Sequence, residues 1–452
     1  MTSSSTVTSH CTILIENDYS TKSSASDQAN GIQKVPQNEQ HTTNSTNSES
    51  ITRSLVWKTG RTLYYTAMVC GCFPLLAILS CRSKRVVLKI YSTTVGAFIF
   101  IMLLRSASLL RFSGEINPKS VWSSSLFGTS VICFFSWIMC VYTTVHFTDF
   151  SILVERCESY KSRYHKCQFM RWLSIFSRVI PAICLTLLTV SFTFYLLGVY
   201  GILGINKPTV NLFAVDKPWI RPFHALLFYV IAAEIMAISI QAYEMLTIYV
   251  CVRCYNDAVN SCFFKPHISQ LLRQEYQRIV NLVQYANCKW SLYFFVADGA
   301  FILIMCANLY MIGANYGRVI DGITFLLLCT LMILTLHVPA SMVNETRYQT
   351  LDIFLKKRNE RYDMMKGSAE KVNVDEDHLE HEQNFAMLFE QISNDRSAVT
   401  SGNFFVINRT VLLTIGSAIM TYFVVILEFS SKQSFCRFIT SNVAQFNASP
   451  TE

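Results

Sequence analysis

Eight separate runs of apolar residues, most of them long enough to cross a bilayer, govern what this chain can fold into. They are roughly Leu63–Cys81, Val86–Leu110, Trp122–Leu153, Val179–Tyr200, Phe223–Val252, Ser291–Ile312, Val319–Val338 and Phe404–Phe429. A helix needs about 20 apolar residues to span the hydrocarbon core. The chain is 51% hydrophobic and only 15% charged, whereas soluble domains carry about a quarter charged residues. The expected fold class is therefore an all-α, multi-span membrane protein.

Charge orders the runs. The net charge of +8 would suggest nucleic acid in a soluble protein. Here Lys and Arg crowd into loops beside the runs, the positive-inside pattern, and no nucleic-acid partner is expected. Glu155–Trp172 holds Arg156, Lys161, Arg163, Lys166 and Arg171. Arg253–Lys289 holds five basic residues, and Pro339–Asn403, the longest polar stretch, carries Lys356, Lys357 and Arg358. All three segments are expected in the cytosol. Ser113–Val121, Gly201–Ile220 and Gly313–Arg318 are poorer in Lys and Arg and are expected outside. Arg82, Lys84, Arg85 and Lys89 make the second run enter from the cytosol. The first run is then either a full span with its N-terminus outside, or an interfacial helix with its N-terminus inside.

Residues 1–52 are rich in Ser, Thr, Asn and Gln and lack a signal peptide's apolar core; they read as a disordered cytosolic tail. The 16 cysteines lie mostly in apolar runs (Cys133, Cys140, Cys184, Cys306, Cys329) or in expected cytosolic loops (Cys157, Cys167, Cys262), so no disulfide framework is expected. Cys251-Val-Arg-Cys254 is a lone pair with no second pair to complete a metal site. Glycosylation sequons occur at Asn44, Asn344, Asn408 and Asn447. No catalytic motif occurs and the nine His are scattered, so neither an enzyme nor a cofactor or metal is expected.

The last run ends in a carboxylate. Residues 410–429 read TVLLTIGSAIMTYFVVILEF, preceded by Asn408-Arg409. Thr421-Tyr422, five apolar residues, Glu428 and Phe429 resemble the signature of the invertebrate gustatory receptor family: Thr-Tyr, five hydrophobics, Gln-Phe. The departure is Glu428 where the family usually has Gln. Gly71-Cys72-Phe73-Pro74-Leu75 is similar to the Gly-Leu-Phe-Pro segment before that family's first true span. The resemblance implies seven spans with the N-terminus cytosolic and the C-terminus extracellular. It divides the chain into the tail 1–52, an amphipathic pre-span helix 53–85, and spans one to six over 86–338, with a ligand-binding bundle and a cytosolic helix 265–290. A cytosolic anchor 339–403, the pore-lining last span 404–429 and an extracellular tail 430–452 follow. The family's members are tetrameric ligand-gated non-selective cation channels in the plasma membrane of sensory neurons. The implied partners are a small-molecule tastant, membrane lipid, and identical or other gustatory subunits. Sugar-sensing members have Glu after the Thr-Tyr, where this chain has Phe423; a light- or peroxide-sensing role is the alternative within the family.

Two kinds of site residue follow. On a helix Thr421, Val425 and Glu428 share one stripe and Tyr422 lies beside it. Around a four-fold axis Val425 is a hydrophobic constriction and Glu428 a ring of carboxylates favouring cations; otherwise Glu428 pairs with a cation or reaches the outer headgroups. Polar residues inside spans mark function by default, and the candidates for an outward pocket between spans two and six are Arg105, Trp137, Tyr195, Glu234, Asn308 and Asp321. Ile268, Leu272, Ile279 and Val283 form an amphipathic stripe, expected to meet another subunit or the membrane surface. A G-protein-coupled receptor would show Asn-Pro-x-x-Tyr in its last span and Cys-Trp-x-Pro; neither occurs.

Overall fold

Helices account for nearly everything in the computed structural model, which describes residues 54–72, 82–110, 118–157, 168–199, 221–262, 268–313, 319–367 and 376–422, together with 424, 425 and 428. In chain order they are α1 (Leu55–Val69), α2 (Arg82–Leu109), α3 (Pro118–Val145), α4 (Phe147–Arg156), α5 (Gln168–Val199), α6 (Arg221–Cys262), α7 (Ile268–Gly313), α8 (Val319–Gly367) and α9 (Glu376–Asn394). A short antiparallel hairpin, β1 (Thr400–Ser401) and β2 (Phe405–Val406), precedes the last helix, α10, which covers residues 409–422. Among the described residues, six helices (α2, α3, α5, α6, α7 and α8) are long and apolar enough to cross a membrane. The chain is an all-α membrane protein. The run Phe404–Phe429 is helical at 409–422, 424, 425 and 428. The tails expected at 1–52 and 430–452 lie outside the described residues.

α6 is the axis of the fold. Its apolar window is 89% buried, against 22% for that of α2, and it packs against α8, α5, α3, α7 and α1. A helix buried on every side must be apolar or have its polar groups paired; α6 is mostly apolar and pairs Glu244 and Asn256, whereas Gln241 is fully buried with neither amide atom hydrogen-bonded among the described residues. Its Glu244 receives Lys289 Nζ at 2.7 and 2.9 Å and Trp290 Nε1 at 2.7 Å from α7. Lys289 and Glu244 side chains are each 1% exposed. Farther along, Asn256 donates to the Thr346 carbonyl at 3.1 Å and accepts from Thr350 Oγ1 at 2.7 Å, tying α6 to α8.

Three helices overrun any bilayer. α6, α7 and α8 contain 42, 46 and 49 residues, which at 1.5 Å per residue is about 63, 69 and 74 Å against a core of about 30 Å. The sequence divides α7 at Ser291 and α8 at Pro339, but both helices run straight through. Pro339 is helix-internal; its missing N–H is tolerated where neighbouring helices hold the backbone. The reverse occurs at His146, where the single run Trp122–Leu153 breaks into α3 and α4. His146 leaves helical geometry (φ −96°, ψ 13°), its ring meets Asp149 at 3.0 Å, and its carbonyl accepts from Tyr285 Oη at 3.0 Å.

The amphipathic stripe of α7 is used up inside the protomer, a correction to its expected role at a subunit contact. Leu272, Tyr276, Ile279, Val283 and Ala286 are buried. α9 packs on α7 and α8 with Phe385, Leu388 and Ile392 buried, and Phe354 of α8 stacks on Phe385 at 4.4 Å. Asp395, just after α9, binds Arg347 of α8 and accepts from Tyr276 Oη at 2.8 Å. What remains outward is mostly polar: Gln270, Arg273, Gln274 and Gln277 line a cleft of ≈ 710 Å³ with Gln391 and the exposed Met387, and Leu271 beside them is 58% exposed. Any partner at this face meets amides and Arg273 together with Met387 and Leu271.

Candidate functional site: the last helix and its tether

Asn408 starts α10 by accepting from the backbone N–H of Val411 at 2.9 Å, the capping bond that Asn is suited to make. Leu412, Ile415 and Ile419, spaced three and four apart, are the α10 residues packed against the core. The opposite side is exposed and reads Thr410, Thr414, Ser417, Thr421, Val425, Glu428. At 100° per residue these six lie within about 80° of arc. Thr414 Oγ1 donates to the Thr410 carbonyl and Thr421 Oγ1 to the Ser417 carbonyl, both at 2.9 Å. Each hydroxyl oxygen remains available to accept on the outer face. Tyr422 lies beside this stripe and is 47% exposed. The sequence reading found the lower half of the stripe. Thr410, Thr414 and Ser417 were legible as its continuation, since 410 and 417, and 414, 421 and 428, recur every seven residues.

The hairpin ties α10 to α7 and α8. Gly402 and Asn403 carry positive φ of 59° and 62°, a left-handed pair that Gly and Asn tolerate. A Cβ on Gly402 would sit 3.0 Å from Phe295. The Gly402 N–H donates to the Ser291 carbonyl at 2.8 Å, and Thr400 donates through both N–H and Oγ1 to Asn287 Oδ1 at 2.8 Å. Ser401 Oγ donates to Asp298 Oδ2 at 2.8 Å, while Asp298 Oδ1 meets His337 Nε2 of α8 at 2.5 Å. Asn344 of α8 grips the base of the hairpin. Its Nδ2 donates to the Val399 carbonyl at 3.0 Å and the Ile407 carbonyl at 2.7 Å, and its Oδ1 accepts from the Val399 N–H at 2.9 Å. Arg409, at the start of α10, pairs with Glu345 at 2.7 Å. The Asn344 sequon is thus occupied structurally: the side chain is 1% exposed, which leaves no room for a glycan. Asn408 serves as the cap of α10, and Asn44 and Asn447 lie outside the described residues.

The pocket candidates fall in different settings. Glu234 of α6 is buried and accepts from Cys133 Sγ of α3 at 3.4 Å. One turn along α3, Ser136 meets Tyr293 Oη of α7 at 2.9 Å. Together these make a polar layer inside the bundle, of which the sequence reading named only Glu234. A hydroxyl or thiol in an apolar run gives little signal alone. Trp137 is half-buried, donates to the Ser92 carbonyl at 3.2 Å and lies flat against Gly96, where a Cβ would come within 2.2 Å of its ring. Asn308 is buried and donates to the Ile304 carbonyl of its own helix at 2.8 Å. Arg105 is exposed near the end of α2. The side chains of Tyr195 and Asp321 lie outside the described residues. Cys251 and Cys254 are buried and form no disulfide with each other.

No protein-family model matches the chain, and no curated protein matches it. Its fold is similar to that of the insect olfactory receptor OR5 from Machilis hrabei, with a TM-score of 0.66 over 82% of this chain and 97% of that one, at 14% identity. The same receptor in complex with eugenol gives a TM-score of 0.64 at 14% identity, covering 83% of this chain and 98% of that one. At this identity what is shared is the fold.

Proposed function

We propose that this chain is a gustatory chemosensory receptor that works as a tetrameric ligand-gated, non-selective cation channel. One observation carries the reading: the face of α10 turned away from its own bundle is a line of hydroxyls running to Val425 and Glu428. Such a line has no use against lipid. Around a four-fold axis it supplies oxygen atoms to a hydrated cation, and Glu428 supplies a ring of negative charge. The fold likeness to an olfactory receptor, one of whose solved structures holds eugenol, supports a small organic ligand. The Thr421-Tyr422 signature supports the gustatory branch. The buried layer around Glu234, Cys133, Ser136 and Tyr293 is the proposed floor of the ligand site in the bundle, and the amide-rich face of α7 and α9 is the proposed contact between subunits.

The test is expression of the chain alone in a cell without such receptors, with patch-clamp recording during a tastant panel. Ligand-evoked cation current is expected; a ligand-bound but electrically silent protein at the cell surface would sink the channel reading. Two variants address the stripe. Val425 is the proposed dewetting gate, so Val425→Ser is expected to pass basal current without ligand. A normally closed Val425→Ser channel would move the constriction elsewhere. Glu428→Gln, which installs the family's usual residue, is expected to remain gated and to lose permeability to calcium relative to sodium. Identical reversal potentials for wild type and Glu428→Gln would remove Glu428 from the conduction path.

A further inference from the structure

The geometry points to a binding surface for the phosphate-bearing headgroup of an anionic inner-leaflet lipid, formed by the outer faces of α1 and α5. Neither helix contains a single Asp or Glu. Their exposed cations are Lys58 and Arg61 on α1 and Arg171 and Arg178 on α5, and none of the four has a carboxylate partner among the described residues. The helices touch where Ser177 Oγ donates to the Thr59 carbonyl at 3.0 Å. Lys58 and Arg178, both exposed, are the sequence neighbours of that contact.

The same faces are apolar and aromatic as well as basic. Tyr65, Val69, Trp172 and Ile175 are 42%, 73%, 61% and 49% exposed. Arg61 lies over the Tyr65 ring at 5.4 Å, a cation–π contact that fixes the guanidinium without neutralising it. Exposed cations mixed with Trp, Tyr and aliphatic side chains match the boundary between headgroup and hydrocarbon, where a soluble anion would satisfy only the cations. The opposite face of α1 is committed to the core through Val56, Leu63, Tyr64 and Ala67, so the helix is a rigid support. Tyr243 Oη donates to the Val56 carbonyl at 2.8 Å, and Tyr243 is the residue before Glu244 of the buried ion pair. A headgroup on α1 is therefore one contact away from the centre of the fold.

The test measures binding, not current, so its failure leaves the channel reading untouched. The detergent-solubilised full chain is titrated with a short-chain phosphatidylinositol bisphosphate by thermophoresis. Phosphatidylcholine of the same chain length and inositol trisphosphate are the comparison probes. The bisphosphate lipid is expected to bind far more tightly than either. Neutralising Lys58, Arg61, Arg171 and Arg178 to Gln should weaken it about five-fold per charge, on the order of a hundred-fold or more in all. Replacing the three arginines by Lys should keep most of the affinity. If the quadruple variant is not monodisperse, Arg171→Gln with Arg178→Gln serves, with an expected loss of about 25-fold. Wild-type affinity in either variant overturns the proposal. Inositol trisphosphate binding as tightly as the lipid would show a site for a soluble anion and overturn it equally, as would equal binding of phosphatidylcholine.

Discussion

Replacing Lys289 with methionine is expected to cost about 3–5 kcal/mol, the usual penalty for removing one partner of a buried ion pair. The loss is large because of what stays behind. Glu244 would keep only the Trp290 indole N–H, in a site where its carboxylate is 1% exposed. Methionine fills nearly the volume of lysine, so packing changes little and the charge is isolated as the cause. The double variant Glu244→Gln with Lys289→Met removes both charges and is expected to recover much of the loss. Thermal unfolding followed by size-exclusion of the detergent-extracted protein measures this. A Lys289→Met protein with an unchanged midpoint would mean that water reaches Glu244 and that the pair is not sealed.

Asn344→Ala is the second large effect. It leaves the Ile407 carbonyl and the Val399 N–H without their partner, at about 1–3 kcal/mol for each buried group, while the Val399 carbonyl keeps the Ile407 N–H at 3.1 Å. The whole chain need not unfold, because these bonds join the base of the hairpin to α8. The hairpin and the start of α10 are expected to open locally. Amide exchange at Val399 should speed up by at least an order of magnitude while amides in the middle of α6 stay protected. On the channel reading proposed above, the half-activating ligand concentration should shift with little change in ligand binding. Unaltered exchange at Val399 would show that Ser291, Asn287 and Asp298 hold the hairpin without Asn344.

The helices were legible because lipid leaves a coarse signal: length and apolarity mark a span whatever it packs against. Where they end was not. Pro339 and Ser291 look like boundaries in sequence, but the packed helices around them keep the backbone helical. His146 looks like one more residue in a run, and only its contacts with Asp149 and Tyr285 show the break. The stripe of α7 was read correctly as amphipathic and assigned to the wrong partner, since a periodicity cannot say whether the apolar face meets its own chain or another. In the last helix Thr421, Val425 and Glu428 follow from the motif and the helical spacing, and all three are exposed. The tether was invisible, because Asn344, Asp298 and His337 are single polar residues whose meaning depends on a hairpin 55 to 103 residues away.

The unbroken α7 and α8 have a mechanical consequence. Each is a beam roughly twice as long as the bilayer is thick, and a rigid beam converts angle into displacement. Tilting α7 by 5° about its midpoint moves each end by about 3 Å, while residues near the midpoint scarcely move. The hairpin is fastened close to that midpoint, at Ser291 and Asp298 of a helix running from Ile268 to Gly313. At a pivot a beam transmits rotation and almost no translation. On the channel reading proposed above, a ligand that leaned α7 and α8 would therefore reach α10 as a change of tilt with almost no shift along its axis, enough to re-aim the 80° stripe without pulling the helix out of the membrane.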